Sequence, residues 1–185
     1  MSVVDALAAL KKKVDGDPQA IRTIASGLRA MGGHVSDSAN QLVRHVGEVG
    51  QAWQGASATA FADYMAAYPK AGRDLKGALD ACATALDTAA TALQSASTTV
   101  NGLLDAAIAA AYQCKLDNSG ATASDIDRYV KERLGDPVGT AGTAVTTANN
   151  ALTTAKNALD GQLGRDAFGF FKAIRQPGGA DFQPG

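Results

Sequence analysis

Large aromatic side chains are scarce in this chain: one Trp, four Tyr and five Phe make up 5% of its 185 residues. A core so poor in large side chains gains little transfer free energy per contact, so the length of the contacts has to replace their depth. Cysteine is rarer still. Cys82 and Cys114 fall within one continuous helical pattern, 114 − 82 = 32 residues apart. At about 1.5 Å per residue that is on the order of 48 Å along a straight helix, which excludes an intrachain disulfide. Cys82 lies on the apolar stripe and reads as a small apolar side chain rather than a redox group.

An excess of charge of either sign is missing as well. Seventeen Lys and Arg are interspersed with eighteen Asp and Glu, for a net charge of −1. No basic stripe is available to neutralise phosphates, which argues against nucleic acid as a partner. No run approaches the roughly 18 apolar residues of a membrane span. The apolar run Val3 to Leu10 has no cationic region ahead of it, is interrupted by Asp5 and is closed by Lys11-Lys12-Lys13, so a cleavable signal peptide does not fit. The chain reads as soluble and made in the cytoplasm.

Only two histidines occur, His34 and His45. Eleven residues apart, they share a helix face, yet three turns hold them about 16 Å from each other, too far for one metal. His45 is expected partly buried on the apolar stripe and His34 solvated. No Gly-rich loop follows a strand, no Cys/His cluster exists, and the acidic residues are scattered. These absences point to a protein without catalytic residues, metal, cofactor or small-molecule substrate.

What is abundant is alanine, at 39 of 185 positions. It is the strongest helix former and loses no side-chain entropy, so long, closely approaching helices are expected. Ser2 with Asp5 forms a capping box, and Val3, Leu7, Leu10 and Val14 share one face of a short helix over 2–14. Gly16-Asp17-Pro18 stops that helix and starts the next, with Asp17 as N-cap and Pro18 at the first helical position. Gly135-Asp136-Pro137 repeats the device.

From Pro18 to Gln51 an apolar seam runs Ile21, Ile24, Leu28, Met31, Val35, Ser38, Leu42, His45, Val49, Ala52, in alternating steps of three and four. A second seam follows Trp53-Gln54-Gly55: Phe61, Met65, Tyr68, Gly72, Leu75, Leu79, Cys82, Leu86, Ala89, Leu93, Ala96, Val100, Leu103. Each stripe needs the other to leave water, so two seams joined by a short connection fold back antiparallel. A modest kink is expected at Pro69 and an irregularity near Gly102.

Residues 115–123 read as a loop, and Ser124 with Asp127 as a capping box for a short helix carrying Ile126, Tyr129, Val130 and Leu134. A last long helix, about Pro137 to Ile174, has Val138, Val145, Leu152 and Leu159 at intervals of seven. It is expected to cover the part of the second helix that outlasts the first. The fold expected is all-α: a long antiparallel helical hairpin with an additional C-terminal long helix, forming an elongated three- to four-helix bundle. Its segments are 1–16, 17–114, 115–175 and a disordered tail or linker at 176–185.

The only Trp stands where an amphipathic chain must reverse, beside a Gly that supplies backbone freedom. With Asp17-Pro18, the Ile21/Ile24/Leu28 stripe, Ala52-Trp53-Gln54-Gly55, Ala58 and Ala60-Phe61, the chain resembles, over about Asp17 to Ala111, the Trp-x-Gly helical hairpins of type VII secretion, especially their actinobacterial branch. The resemblance implies export without a cleaved signal peptide. It also implies pairing with a helical partner, as a homodimer or with a second small hairpin, and engagement of a secretion ATPase, with contact to a membrane only through that machine. Trp53, Gly55 and Tyr112 become the candidates for export recognition. Ile24, Leu28, Met31, Val35, Leu42, Val49, Phe61, Met65, Leu75, Leu79, Leu86 and Leu93 become the pairing seam.

The family's export signal joins Trp-x-Gly to a Tyr-x-x-x-Asp/Glu element, and here the residues four positions after Tyr64, Tyr68, Tyr112 and Tyr129 are Tyr68, Gly72, Leu116 and Arg133. Either a partner supplies that half of the signal, or the extra C-terminal helices take the partner's place. The resemblance also implies that a toxin domain can follow such a hairpin. Two other readings are a cytoplasmic helical adaptor or chaperone of a secreted toxin, and a membrane-active helical protein.

Overall fold

A computed structural model describes residues 1–162, 169–172 and 174, and the protein is all-α, with no strand among the described residues. Those residues form α1 (Val3–Lys11), α2 (Pro18–Ala52), α3 (Ala56–Asp117), α4 (Ala123–Leu134), α5 (Pro137–Gln162) and α6 (Gly169–Lys172). The expected tail at 176–185 lies outside the described residues, as do residues 163–168 of the helix expected to reach Ile174.

The helix starts follow from local side-chain chemistry. Ser2 Oγ accepts from the Asp5 N–H at 3.1 Å while Asp5 accepts from the Ser2 N–H at 3.2 Å, so both halves of the capping box form. Asp17 Oδ1 accepts from the N–H groups of Gln19 and Ala20, each at 2.9 Å, and Asp136 Oδ1 from Gly139 at 2.9 Å. Both Gly-Asp-Pro units thus open a long helix.

One cap differs from expectation. The box at α4 is Thr122 with Asp125, not Ser124 with Asp127. The two spacings are equivalent in sequence, and the earlier one encloses one more helical residue pair while freeing Asp127 for a longer-range role. The loop before it is also shorter than read, because α3 continues to Asp117. Neither Pro69 nor Gly102 ends α3: Pro69 is buried inside the helix, and Gly102 is exposed with open space around its Cα.

The chain divides into two compact units that cut across the segments read from the sequence. The first comprises Met1–Arg22 and Leu86–Ala155. Its core joins Val3, Leu7 and Val14 to Leu93, Ala96, Val100, Leu104, Ala107 and Ala110 of α3, with Val130 of α4 and Ala141, Val145 and Ala148 of α5. The length of α3 in this unit is covered by α1 and α4 as well as by the long C-terminal helix. A Cβ on Gly16 would lie 2.9 Å from Leu93 Cδ2, so a larger residue here requires the Leu93 side chain to shift.

The second unit comprises Thr23–Ala85 and Lys156–Gly185 and holds the hairpin's reversal. Gly32 faces Lys76, and Gly72 faces Val35 and Ala39. The sums 32 + 76 = 108, 35 + 72 = 107 and 39 + 72 = 111 stay nearly constant, as antiparallel packing about a turn at 53–55 requires.

The stripe of α2 that meets α3 is not the one expected. Ala25 and Gly32 are buried, with Leu28, Val35, Ala39 and Leu42 half-buried, whereas Ile24, Met31 and Val49 are 57%, 54% and 41% exposed. Both stripes share Leu28, Val35 and Leu42, but the alternate rung moves one residue on, from Ile24/Met31/Ser38 to Ala25/Gly32/Ala39. Small residues on that rung let the helix axes approach, where Ile and Met would hold them apart. On α3, Ala71, Gly72, Ala78, Leu79, Cys82 and Ala83 are buried. Cys82 Sγ lies 3.8 Å from the carbonyl oxygen of Ala158, and burial pushes its thiol pKa up.

Candidate functional site

The reversal needs three residues. The Trp53 N–H donates to the Val49 carbonyl at 2.9 Å and closes the last turn of α2. Gly55 then adopts φ +111°, a backbone conformation that side chains disfavour. Its carbonyl accepts from the N–H groups of Ala58 and Thr59, both at 3.1 Å, and from Thr59 Oγ1 at 3.3 Å. Glycine is therefore both the turn residue and the cap of α3.

Trp53 is 42% exposed and packs on Phe61, with ring centroids 5.8 Å apart and planes at 45°. Phe61 is one helical turn and a half into α3, so the indole spans the mouth of the hairpin. One face is held by a ring while the rest meets solvent. Such a side chain offers a large, preordered apolar surface with an N–H donor, the combination that anchors protein interfaces.

The other candidates are dispersed. Tyr112 is 66% exposed near the end of α3 and shares a face with Ile108 and Leu116, 48% and 62% exposed. Of the expected pairing residues, Leu79 and Leu93 are buried, and Leu28, Val35, Leu42, Phe61, Met65, Leu75 and Leu86 are half-buried. Ile24, Met31 and Val49 face solvent.

Tyr68 is expected on the second seam, but its pairing with Tyr64 is not foreseen from the sequence. Their hydroxyls are 2.6 Å apart and their rings meet edge to face at 5.5 Å. The hydrogen bond between the two hydroxyls, followed by burial, holds the Tyr64 phenol above its ordinary pKa of 10.0. Their spacing of four on one helix face was the available signal.

His45 is exposed rather than partly buried: its Nδ1 lies 3.1 Å from Glu48 Oε2, with both side chains 63% exposed. It shares the outward rung with Met31 and leaves the interface for the same reason. Among the described residues no group of His, Cys, Asp and Glu has the arrangement of a metal site, and no helix is long and apolar enough to cross a membrane.

Residues 13–98 match the family described as WXG100, proteins of 100 residues with WXG. That family is associated with type VII secretion substrates and with pairing to helical partners. No curated protein and no solved structure matches the chain. The matched span takes in Asp17-Pro18, all of α2, the Trp53-Gln54-Gly55 reversal and the first part of α3. The match over residues 13–98 supports the WXG family of helical hairpins for that part of the chain.

Proposed function

We propose that this protein is a type VII secretion substrate, or the leader module of a secreted effector, exported through helix pairing and recognition of the Trp53 turn. The observation that carries the reading is the indole itself: the lone Trp is held on Phe61 and left 42% exposed at a reversal whose backbone favours glycine. A receptor meeting this turn finds its anchor already ordered, which lowers the entropic cost of binding.

Helix pairing has apolar surface to work with, since Ile24, Met31 and Val49 are exposed on α2. The partner is a second copy or another small hairpin, and it supplies the acidic half of the export signal that none of the four tyrosines carries at the family spacing. Tyr112 contributes from the last turns of α3. The protein is made in the cytoplasm and leaves without losing a signal peptide, and its engine is the secretion ATPase.

The test is the appearance of a tagged chain in the medium of hosts with and without that ATPase, alongside Trp53→Ala. The expected result is release that requires both the ATPase and Trp53 while the cellular level of the variant stays normal. Release without the ATPase, or undiminished release of Trp53→Ala, overturns the proposal, and complete retention of the wild-type chain assigns it to the cytoplasmic adaptors.

A further inference from the structure

In the second unit, a four-residue helix near the C-terminus rests on the hairpin. Phe171 of α6 lies with its ring centroid 6.4 Å from that of Tyr68, the planes at 38°. Together with Met31, His34, Val35, Leu42 and Tyr68 it lines a groove of about 330 Å³. Tyr68 is a fixed platform, because its hydroxyl is tied to that of Tyr64 and the two rings meet edge to face. No residue of α6 is fully buried. A single helical turn does not persist alone in water, so the place of α6 depends on this contact.

We infer that α6 is a latch, with Phe171 seated on Tyr68 as one wall of the apolar groove between α2 and α3 and, while seated, narrowing it against a partner helix. The groove borders the exposed part of α2: Met31 lines it and is 54% exposed. A partner helix laid along the groove from Met31 across Tyr68 needs the space that Phe171 holds over Tyr68. A half-buried Phe holds the closed state by only a small margin, because its burial is offset by the entropy lost in ordering the turn. A partner burying the same surface reverses a preference of that size. The consequence for pairing rests on the function proposed above, whereas the latch itself does not.

The experiment measures fluorescence of the apolar dye anilinonaphthalene sulfonate on the purified full-length protein. Wild type and Phe171→Leu should bind little dye, while Phe171→Ala and Phe171→Asp should show a rise of about fivefold or more with unchanged far-UV circular dichroism. Adding Met31→Ser to Phe171→Ala should abolish the rise, which places the dye in this groove. Dye binding unchanged in both the Ala and Asp variants, a rise that survives Met31→Ser, or a loss of helicity in Phe171→Ala larger than the single turn of α6 overturns the latch. Export of Phe171→Ala is then compared with wild type. A wild-type chain that is not exported while the dye results hold sinks only the secretion reading, and ATPase-dependent export with no dye response sinks only the latch.

Discussion

The backbone N–H of Val3 donates to Asp127 Oδ1 at 3.1 Å across 124 residues of sequence, so a carboxylate of α4 caps the first turn of α1. An N-terminal helical N–H has no partner within its own helix, and a carboxylate there satisfies the donor and favours the helix dipole. The bond fastens α1 to α4 beside the core that holds Val3 and Val130. Asp127→Ala should therefore lower stability by about 1 kcal/mol in urea denaturation, and Thr122→Ala, which removes the observed box, by a similar amount. Ser124→Ala should change it by less than about 0.5 kcal/mol, as at an ordinary surface position. Equal losses at Thr122 and Ser124 would contradict the observed cap.

Acid should weaken both capping boxes together. Asp5 is held below its ordinary pKa of 3.8 first by the hydrogen bond from the Ser2 hydroxyl and then by the Ser2 N–H; Asp125 is held down in the same way by Thr122, with Arg128 assisting. A carboxylate whose pKa is depressed on folding stabilises the fold above its unfolded value, and that contribution disappears as pH falls through the folded value. The melting temperature should accordingly hold from neutrality to about pH 5 and decline as pH drops below 3.8. In a Ser2→Ala, Thr122→Ala double variant that acid decline should be shallower. A wild type and double variant with parallel profiles would show that these two aspartates are not the linked groups.

The sequence made the helices, the reversal and the start signals other than that of α4 legible because they are set locally. Two Gly-Asp-Pro units, a period of three and four, and a lone Trp-x-Gly each act over a few residues. Which side of α2 packs was not legible. Ile24/Met31 and Ala25/Gly32 are adjacent rungs that share Leu28, Val35 and Leu42, and hydrophobicity favours the first. Close approach of the axes favours the second, and that depends on a facing helix that starts after the turn. The Val3–Asp127 bond and the Phe171–Tyr68 contact were out of reach for a related reason, since each joins residues about a hundred positions apart with no pattern linking them.

Glycines along the hairpin should respond in opposite directions to substitution. A Cβ on Gly72 would stand 3.3 Å from Ala39 Cβ and 3.5 Å from Val35 Cγ1, both short side chains anchored to a facing backbone. Gly72→Leu should cost about 1–3 kcal/mol by overpacking. Gly77, five residues further along the same helix, has nothing within 4 Å of the added carbon. Gly77→Ala should stabilise the protein by about 0.5–1 kcal/mol, the helix-propensity difference. Denaturant midpoints of the two variants that move in the same direction would refute the packing register of α2 on α3.

Trp53 is the only Trp, so all indole emission reports on the turn. Phe61→Ala removes the ring 5.8 Å from the indole and should shift that emission to the red and increase acrylamide quenching, with little change in helicity, because Phe61 is only half-buried. Gly55→Ala acts on the backbone instead. At φ +111° a Cβ meets no neighbour, so any loss is conformational strain, about 1–3 kcal/mol, confined to the turn. Gly50→Ala, also without a neighbour but inside α2, should stabilise and leave the spectrum alone. If Phe61→Ala left the emission of Trp53 unchanged, the indole would not be held by that ring. A receptor would then meet a mobile side chain rather than an ordered anchor, and the physical argument for recognition at this turn would fail.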